Sequence, residues 1–193
     1  MKKYILMIGC VLAAYITQAQ TIYSISYDTS LGLGDTGDFA GNFNGRGVTM
    51  LDIRAYVTDN LTVGGSFGWH VLYEEETGTF EQDNLTVSGT QKRYLNSFPI
   101  MANVHYNFGE DGEITPYAGL GIGTYSIERR VDMGLFSDTI NQWHFGLAPE
   151  VGVIFPVAYN SALILKAKYN HAFEAGGVPQ RQYMVFGIGY AWY

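Results

Sequence analysis

The feature that most constrains this chain is a repeated alternation of apolar residues with small or polar ones, in segments of about ten residues. In the clearest segment, every second residue from Phe98 to Phe108 is apolar or aromatic, and most of the residues between them are small or polar. A period of two is that of a β-strand with two different faces. Eight such segments follow one another, and we find no long segment with helical spacing. The sequence therefore predicts an all-β fold.

The first 19 residues have the three-part layout of a secretory signal. Lys2 and Lys3 precede an apolar stretch over residues 4–16, and the small residue Ala19 closes the segment. We expect cleavage after Ala19, which leaves a mature domain over residues 20–193, and cleavage after Gln20 is an alternative. A lipoprotein cleavage site at Cys10 is a second interpretation, but it would leave the apolar residues 11–14 at the mature N-terminus and is less favoured.

Composition excludes several classes of protein. Cys10 is the only cysteine, so the mature chain has neither disulfides nor a cysteine metal cluster. Loss of Lys2 and Lys3 from the 11 basic residues leaves nine against 18 acidic ones, a net charge of −9, which makes nucleic acid an unfavourable partner. After the signal, no run approaches the roughly 20 apolar residues of a membrane helix.

Alternation alone fits both a soluble β-sandwich and a membrane β-barrel, and three features favour the barrel. Connections alternate between short and long, aromatic residues gather at both ends of the apolar faces, and the opposite faces are rich in glycine and polar residues. The short turns fall near 58–60, 109–112 and 158–160, and the long loops near 31–46, 74–92, 129–141 and 174–181. We therefore predict an eight-stranded antiparallel up-and-down transmembrane β-barrel with short periplasmic turns and long external loops.

The aromatic residues of the outward faces predict two girdles at the membrane interfaces, where amphipathic rings are favoured. The girdle at the turn end comprises Tyr23, Tyr106, Phe108, Phe155, Tyr190 and Trp192, and the girdle at the loop end comprises Trp69, Tyr73, Trp143 and Phe173.

The segment 116–123 and the closing segment 187–192, together with the export signal, resemble the superfamily of small eight-stranded outer-membrane β-barrels. This group includes the outer-membrane protein X/Ail type, the W type and the membrane domain of outer-membrane protein A. The resemblance covers the whole mature chain, and it implies residence in the outer membrane of a Gram-negative bacterium.

The resemblance also implies a role for the last strand, because such barrels present a terminal aromatic strand to the barrel assembly machinery. That role would fall on Met184, Phe186, Ile188, Tyr190 and Trp192. The chain departs from the pattern in one respect, since Tyr193 follows the expected terminal aromatic residue and could shift the frame by one.

The interior of an eight-stranded barrel is about filled by its own side chains, so we expect the inward charges to form a plug. The inward positions predict a lumen charge network of Asp52, Arg54, Glu150, Lys166 and Lys168, with further candidates at Asp28, His70 and His105. We expect Glu150 to form an ion pair with Lys166 or Lys168 across a tight turn. Mutual pairing of buried charges is favoured over a functional ion path.

No constellation in the sequence predicts chemistry. In small barrels that hydrolyse lipids, one strand carries a His-x-Ser pattern. The nearest match here, His171-Ala172-Phe173-Glu174, lacks the serine nucleophile. We therefore expect no enzyme and no catalytic, cofactor or metal site.

A second group of charges lies in the predicted loop 74–92. The acidic residues are Glu74, Glu75, Glu76, Glu81 and Asp83. They could gather divalent cations between lipopolysaccharide phosphates or face a partner, but a solvated loop is the favoured interpretation.

Two functions fit these features. The leading hypothesis is a non-enzymatic outer-membrane anchor that displays external loops for adhesion, defence or envelope integrity. Its partners would be outer-membrane lipid, lipopolysaccharide, the assembly machinery and an unidentified loop partner. The alternative is a narrow transporter of small hydrophobic molecules, with Met50, Leu72, Leu95 and Met101 lining its mouth.

Overall fold

The computed structural model describes residues 20–41, 45–82, 85–109, 113–134 and 136–193. The predicted signal, residues 1–19, lies outside the described residues. The strands are β1 (Thr21–Leu33), β2 (Gly45–Tyr56), β3 (Leu61–Gln82), β4 (Leu85–Asn107), β5 (Thr115–Met133), β6 (Phe136–Ala158), β7 (Ser161–Ala172) and β8 (Arg181–Trp192), and the helix α1 is Asp35–Ala40. Within the described parts of the chain, no helix is long and apolar enough to cross a membrane.

The eight strands form a closed ring in sequence order, and each pairs antiparallel with its neighbours. The first and last strands close the ring, in register from Tyr23 opposite Trp192 to Leu33 opposite Gln182. Closure gives every strand two partners, which removes the free edges that an open sheet would expose. The predicted fold class is confirmed.

The two faces of the strands differ as the alternation predicts. On β8, Phe186, Ile188 and Tyr190 are about half exposed on the outside, whereas Tyr183 and Val185 are buried inside. The outer surface is therefore apolar, as contact with lipid requires. Its aromatic residues stack in cross-strand pairs at both ends of the barrel. These pairs are Tyr23 with Trp192, Trp69 with Phe98, and Phe145 with Phe173.

A β-bulge in β2 overturns one prediction. Thr49 lies opposite Ser26 and Asp52 opposite Ser24, so β2 has one extra residue between these pairs. A single extra residue exchanges the inner and outer faces of a strand. Thr49 therefore points inward and is buried, and Met50 lies 43% exposed on the outside. The prediction that Met50 lines the lumen is wrong.

Two of the predicted long loops are paired strands. Residues 74–82 and 85–92 belong to a β3–β4 ribbon that is in register from Glu74 opposite Arg93 to Gln82 opposite Leu85, and most of 129–141 belongs to β5 and β6. Cross-strand pairs hold the first ribbon together, including hydrogen bonds between Thr77 and Thr90 (3.1 Å). The strands β3–β6 thus continue beyond the ends of their neighbours.

The first external loop folds back over the barrel mouth through α1, which the sequence pattern did not predict. Gly34 and Gly41 flank the helix with positive φ angles of 51° and 70°, a conformation that favours glycine. Thr36 anchors the helix to β8, because its Oγ1 accepts a hydrogen bond of 2.9 Å from the backbone N–H of Gln182.

Inward glycines make room for the large side chains of the lumen. A Cβ atom at Gly187 would lie 2.3 Å from Asp28 Oδ1 and 2.7 Å from Lys166 Cε. A Cβ atom at Gly119 would lie 2.2 Å from the ring of His105. The glycines of the inner face are therefore needed for the lumen to hold its own side chains.

We expect Gly187→Val to lower the free energy of unfolding by about 1–3 kcal/mol, because the new side chain overpacks the lumen. Urea unfolding in lipid vesicles would measure the change. Gly89→Val is the matched control, since a Cβ atom there meets nothing within 4 Å. Equal stability of the two variants would contradict this packing.

Candidate functional site

Glu150 is the centre of a charge network buried inside the barrel. Its Oε1 accepts hydrogen bonds from Arg54 Nη2 (3.0 Å) and from the Tyr117 hydroxyl (2.7 Å). Its Oε2 forms an ion pair of 2.7 Å with Lys168 Nζ. His105 Nε2 lies 3.8 Å from Oε1. Through these neighbours, one carboxylate therefore links its own strand, β6, to four other strands of the barrel.

Arg54 extends this network to β2. Its Nε and Nη2 donate to Asp52 Oδ2 at 3.1 and 2.7 Å, and its guanidinium lies 4.5 Å from the centre of the Tyr117 ring. Both Asp52 and Arg54 are 1% exposed. Removal of one partner from such a pair leaves an uncompensated buried charge, which is strongly destabilising.

A second network surrounds Asp28, on β1. Its Oδ2 accepts a hydrogen bond from Thr49 Oγ1 (2.7 Å) and lies 3.2 Å from His70 Nε2. Lys166 Nζ lies 3.8 Å from Asp28 Oδ1 and donates to Thr49 Oγ1 at 2.8 Å. The bulge in β2 makes this network possible, because it turns Thr49 inward.

A polar relay continues from Asp28 towards the external end. The other ring nitrogen of His70, Nδ1, lies 3.4 Å from the Tyr183 hydroxyl, which in turn lies 2.9 Å from Ser97 Oγ. The order of groups resembles a carboxylate, imidazole and hydroxyl relay. Ser97 is completely buried, however, so its hydroxyl does not face any surface that a substrate could reach.

The two networks together carry no net charge, and an apolar cluster covers each end of the charged layer that they form. Three carboxylates, at Asp28, Asp52 and Glu150, face three cations, at Arg54, Lys166 and Lys168. An apolar cluster at the turn end includes Ile22, Ile154 and Ile164. A larger apolar cluster lies at the loop end and includes Leu72, Leu95, Met101, Tyr125, Ile127 and Val185, with Ala40 and Phe39 of α1 on top. The lumen is thus filled in three layers.

The structure places all five residues of the predicted lumen charge network inside the barrel. Glu150 lies opposite Lys168, whereas Lys166 lies opposite Gly152 and turns towards Asp28. The sequence did not identify Thr49 or Tyr117 as part of the networks. Tyr117 could have been found, since the outward positions of Ala118, Leu120 and Ile122 imply that Tyr117 points inward.

Three of the acidic residues predicted on an external loop, Glu74, Glu75 and Glu76, lie on β3 and have basic partners. Arg93 is 3.9 Å from Glu74 and 3.0 Å from Glu76, and Lys92 is 3.9 Å from Glu75. The side chain of Glu81 and residue Asp83 lie outside the described residues. Within the described parts of the chain, no group of three or more His, Cys, Asp or Glu side chains could hold a metal ion.

A closed eight-stranded barrel with an apolar outer surface, aromatic girdles and a polar interior defines the class of outer-membrane β-barrels. The chain belongs to the outer membrane protein beta-barrel domain family, whose model matches residues 5–192. Among curated proteins, no sequence matches this chain.

Solved structures of outer-membrane proteins share the fold. Neisserial surface protein A (NspA) is 15% identical, with a TM-score of 0.59 over 89% of this chain and 96% of that chain. Ail of Yersinia pestis is 19% identical, with a TM-score of 0.53 over 90% and 99% of the two chains. OprG of Pseudomonas aeruginosa is 14% identical, with a TM-score of 0.52 over 91% and 96%.

We expect Glu150→Gln and Lys168→Met to be coupled in a double-mutant cycle by about 1–3 kcal/mol, because the two groups are in contact and buried. Chemical unfolding of the four chains in lipid vesicles would measure the coupling. The pair Glu76 and Arg93, 3.0 Å apart at its closest but partly exposed, is the control and should show less than half of that coupling. Equal coupling of both pairs would contradict the assignment of Glu150 as the centre of the network.

Proposed function

We propose that the protein is a non-enzymatic anchor of the outer membrane that displays an external β-sheet for recognition, in adhesion, defence or envelope integrity. The observation that carries this proposal is the filled lumen. A barrel whose interior is occupied from end to end by its own side chains offers no path for solutes, so its function is expected at its external surface.

The external sheet supports the proposal. It comprises the parts of β3–β6 beyond the loop-end girdle, residues 74–82, 85–92, 128–133 and 136–142. At about 3.3 Å per residue, the β3 part alone adds roughly 30 Å of strand. A paired ribbon keeps its shape better than a loop, and a fixed shape suits a recognition surface.

A protein with the same fold offers a parallel. Ail, the attachment invasion locus protein of Yersinia pestis, has been solved in complex with sucrose octasulfate, a heparin analogue, and is 17% identical to this chain with a TM-score of 0.52. At least one barrel of this fold therefore binds a sulfated carbohydrate. This parallel supports recognition of an external ligand.

Two other functions have less support. A transporter of small hydrophobic molecules could use the apolar cluster around Leu72, Leu95 and Met101, but the charged layer lies directly below it. Catalysis would need an accessible nucleophile, and Ser97, the hydroxyl at the end of the relay from Asp28, is buried.

We further propose that residues 1–19 direct export and are removed, and that the last strand is read by the assembly machinery. The outward face of β8 runs in frame to Trp192, while Tyr193 packs against the apolar cluster at the turn end. Tyr193 therefore leaves the frame of the aromatic strand unchanged. Outer-membrane lipid and lipopolysaccharide are the proposed surroundings of the outer face.

We expect the mature chain, refolded into planar bilayers, to show no discrete conductance, because the three layers fill the lumen. Heat-modifiable gel mobility would confirm that the barrel has formed. Steady single-channel steps from the folded protein would contradict the closed lumen and favour the transporter.

We expect recognition to be lost when the β3–β4 ribbon is shortened. In this ribbon-shortened chain, residues 76–91 are replaced by Asn-Gly, which forms a two-residue hairpin between Glu75 and Lys92. A deletion strain complemented with either chain would be scored for adherence to immobilised matrix proteins and for survival in serum and detergent. The full chain should restore these properties and the ribbon-shortened chain should not; full restoration by the shortened chain would contradict the proposal.

A further inference from the structure

Two arginines meet one aromatic ring at the external mouth of the lumen. Arg129 on β5 and Arg181 on β8 place their guanidinium carbons 4.7 and 5.9 Å from the centre of the Phe39 ring on α1. We propose that this mouth site, defined as Arg129, Arg181 and Phe39, binds a sulfate or phosphate monoester group of a water-soluble ligand. The inference deepens the proposed function and rests on it for the external orientation of the mouth.

Both arginines have donors that the described residues leave unused. The Nε atoms of Arg129 and Arg181 are buried and have no hydrogen-bond partner within the described parts of the chain. A buried guanidinium N–H without an acceptor is costly, so such groups normally have a partner. The two donors therefore mark a place for an acceptor.

Two other arginines of the barrel have acceptors for their Nε atoms. Arg54 Nε donates to Asp52 at 3.1 Å, and Arg130 Nε donates to Asp132 at 2.9 Å. Arg129 is the chain neighbour of Arg130 but points into the barrel. Arg54 Nη1 is also buried without a partner, but Arg54 forms ion pairs with two carboxylates, whereas the ion pairs and side-chain hydrogen bonds of the described residues include neither Arg129 nor Arg181.

The chemistry of the site selects an oxyanion. Guanidinium groups bind sulfate and phosphate oxygens through parallel N–H donors, and two of them on different strands can hold one anion from two directions. The carboxylate that acts on Arg181 is Asp35, the first residue of α1, and it is exposed to solvent. Its attraction for Arg181 is therefore weakened by water, which leaves room for a stronger acceptor.

The position of the site selects a soluble ligand over a lipid. Arg181 is 5% exposed and faces the inside of the barrel wall, whereas lipid headgroups surround the outside. A monoester on an external carbohydrate can approach through the mouth. Phe39 would contact the ligand as well, because its ring lies beside both guanidinium groups that bind the anion.

The test uses the full mature chain in lipid nanodiscs, with ¹⁵N-labelled arginine. A trisulfated disaccharide and the same disaccharide without sulfates are the probes, at constant ionic strength. We expect the sulfated probe to shift the Nε–H signals of Arg129 and Arg181 and the unsulfated probe to leave them unchanged.

Three variants assign the binding to the mouth site. Arg129→Gln and Arg181→Gln should each weaken binding about tenfold, the loss expected for one charge-assisted pair of hydrogen bonds. Arg130→Gln is the matched control, because it removes the same charge from an exposed neighbour, and it should change binding less than twofold. Heat-modifiable gel mobility would confirm that each variant is folded.

Two results would overturn the inference: unshifted Nε–H signals in the natural chain, or an equal loss of affinity in the Arg130→Gln control. The first result does not depend on any variant, so a variant that fails to fold leaves the test intact. The ribbon-shortened chain retains the mouth site and should bind the probe normally. Probe binding without any cellular effect of ribbon shortening would therefore contradict the proposed function alone.

Discussion

The closure of eight strands into a ring is the constraint on which the rest of the structure depends. In lipid, no water is present to satisfy backbone groups, so a sheet can cross a membrane only if its first and last strands pair. Here β1 and β8 pair over residues 23–33. Closure also fixes the inside volume, and with eight strands that volume is about the size of the inward side chains.

The small volume explains the composition of the inner face. Charged side chains from opposite strands reach each other across the lumen, as Arg54 and Glu150 do at 3.0 Å. Glycines on the neighbouring strands leave space for them, as Gly187 does beside Asp28 and Lys166. Because the six charges neutralise one another across the lumen, their side chains link the strands that carry them. The interior therefore contributes to stability, and the recognition that we propose involves the external end.

Alternation, together with the uneven connections, the aromatic girdles and the glycine-rich inner faces, was enough to predict the ring and its inward charges. The pairing of Glu150 with Lys168 could be predicted in this way, because a tight turn joins β6 and β7 and sets their register. The contact of Lys166 with Thr49 could not be predicted, since the two residues are 117 positions apart and the contact depends on how the ring closes. The bulge at Met50 was also missed, because a shift of one residue leaves no mark in composition.

The external end was predicted less well. Polarity suggested loops at 74–92 and 129–141, but cross-strand pairs such as Arg93 with Glu76 stabilise ribbons whose residues are polar on both faces. The polarity of a segment indicates whether it lies in water or in lipid. It does not indicate whether a segment in water is a loop or a strand. The helix α1 was missed because six residues are too few to show helical periodicity.

The lumen is closed by its own side chains, and the accessibility of single cysteines tests this closure most directly. Ser97→Cys places a thiol in the lumen, and Ser137→Cys places one on the external end of β6, which is exposed. A membrane-impermeant thiol reagent should label Ser137→Cys rapidly and leave Ser97→Cys unlabelled in the folded barrel. Comparable rates of labelling for the two variants would show an open lumen and contradict the claim.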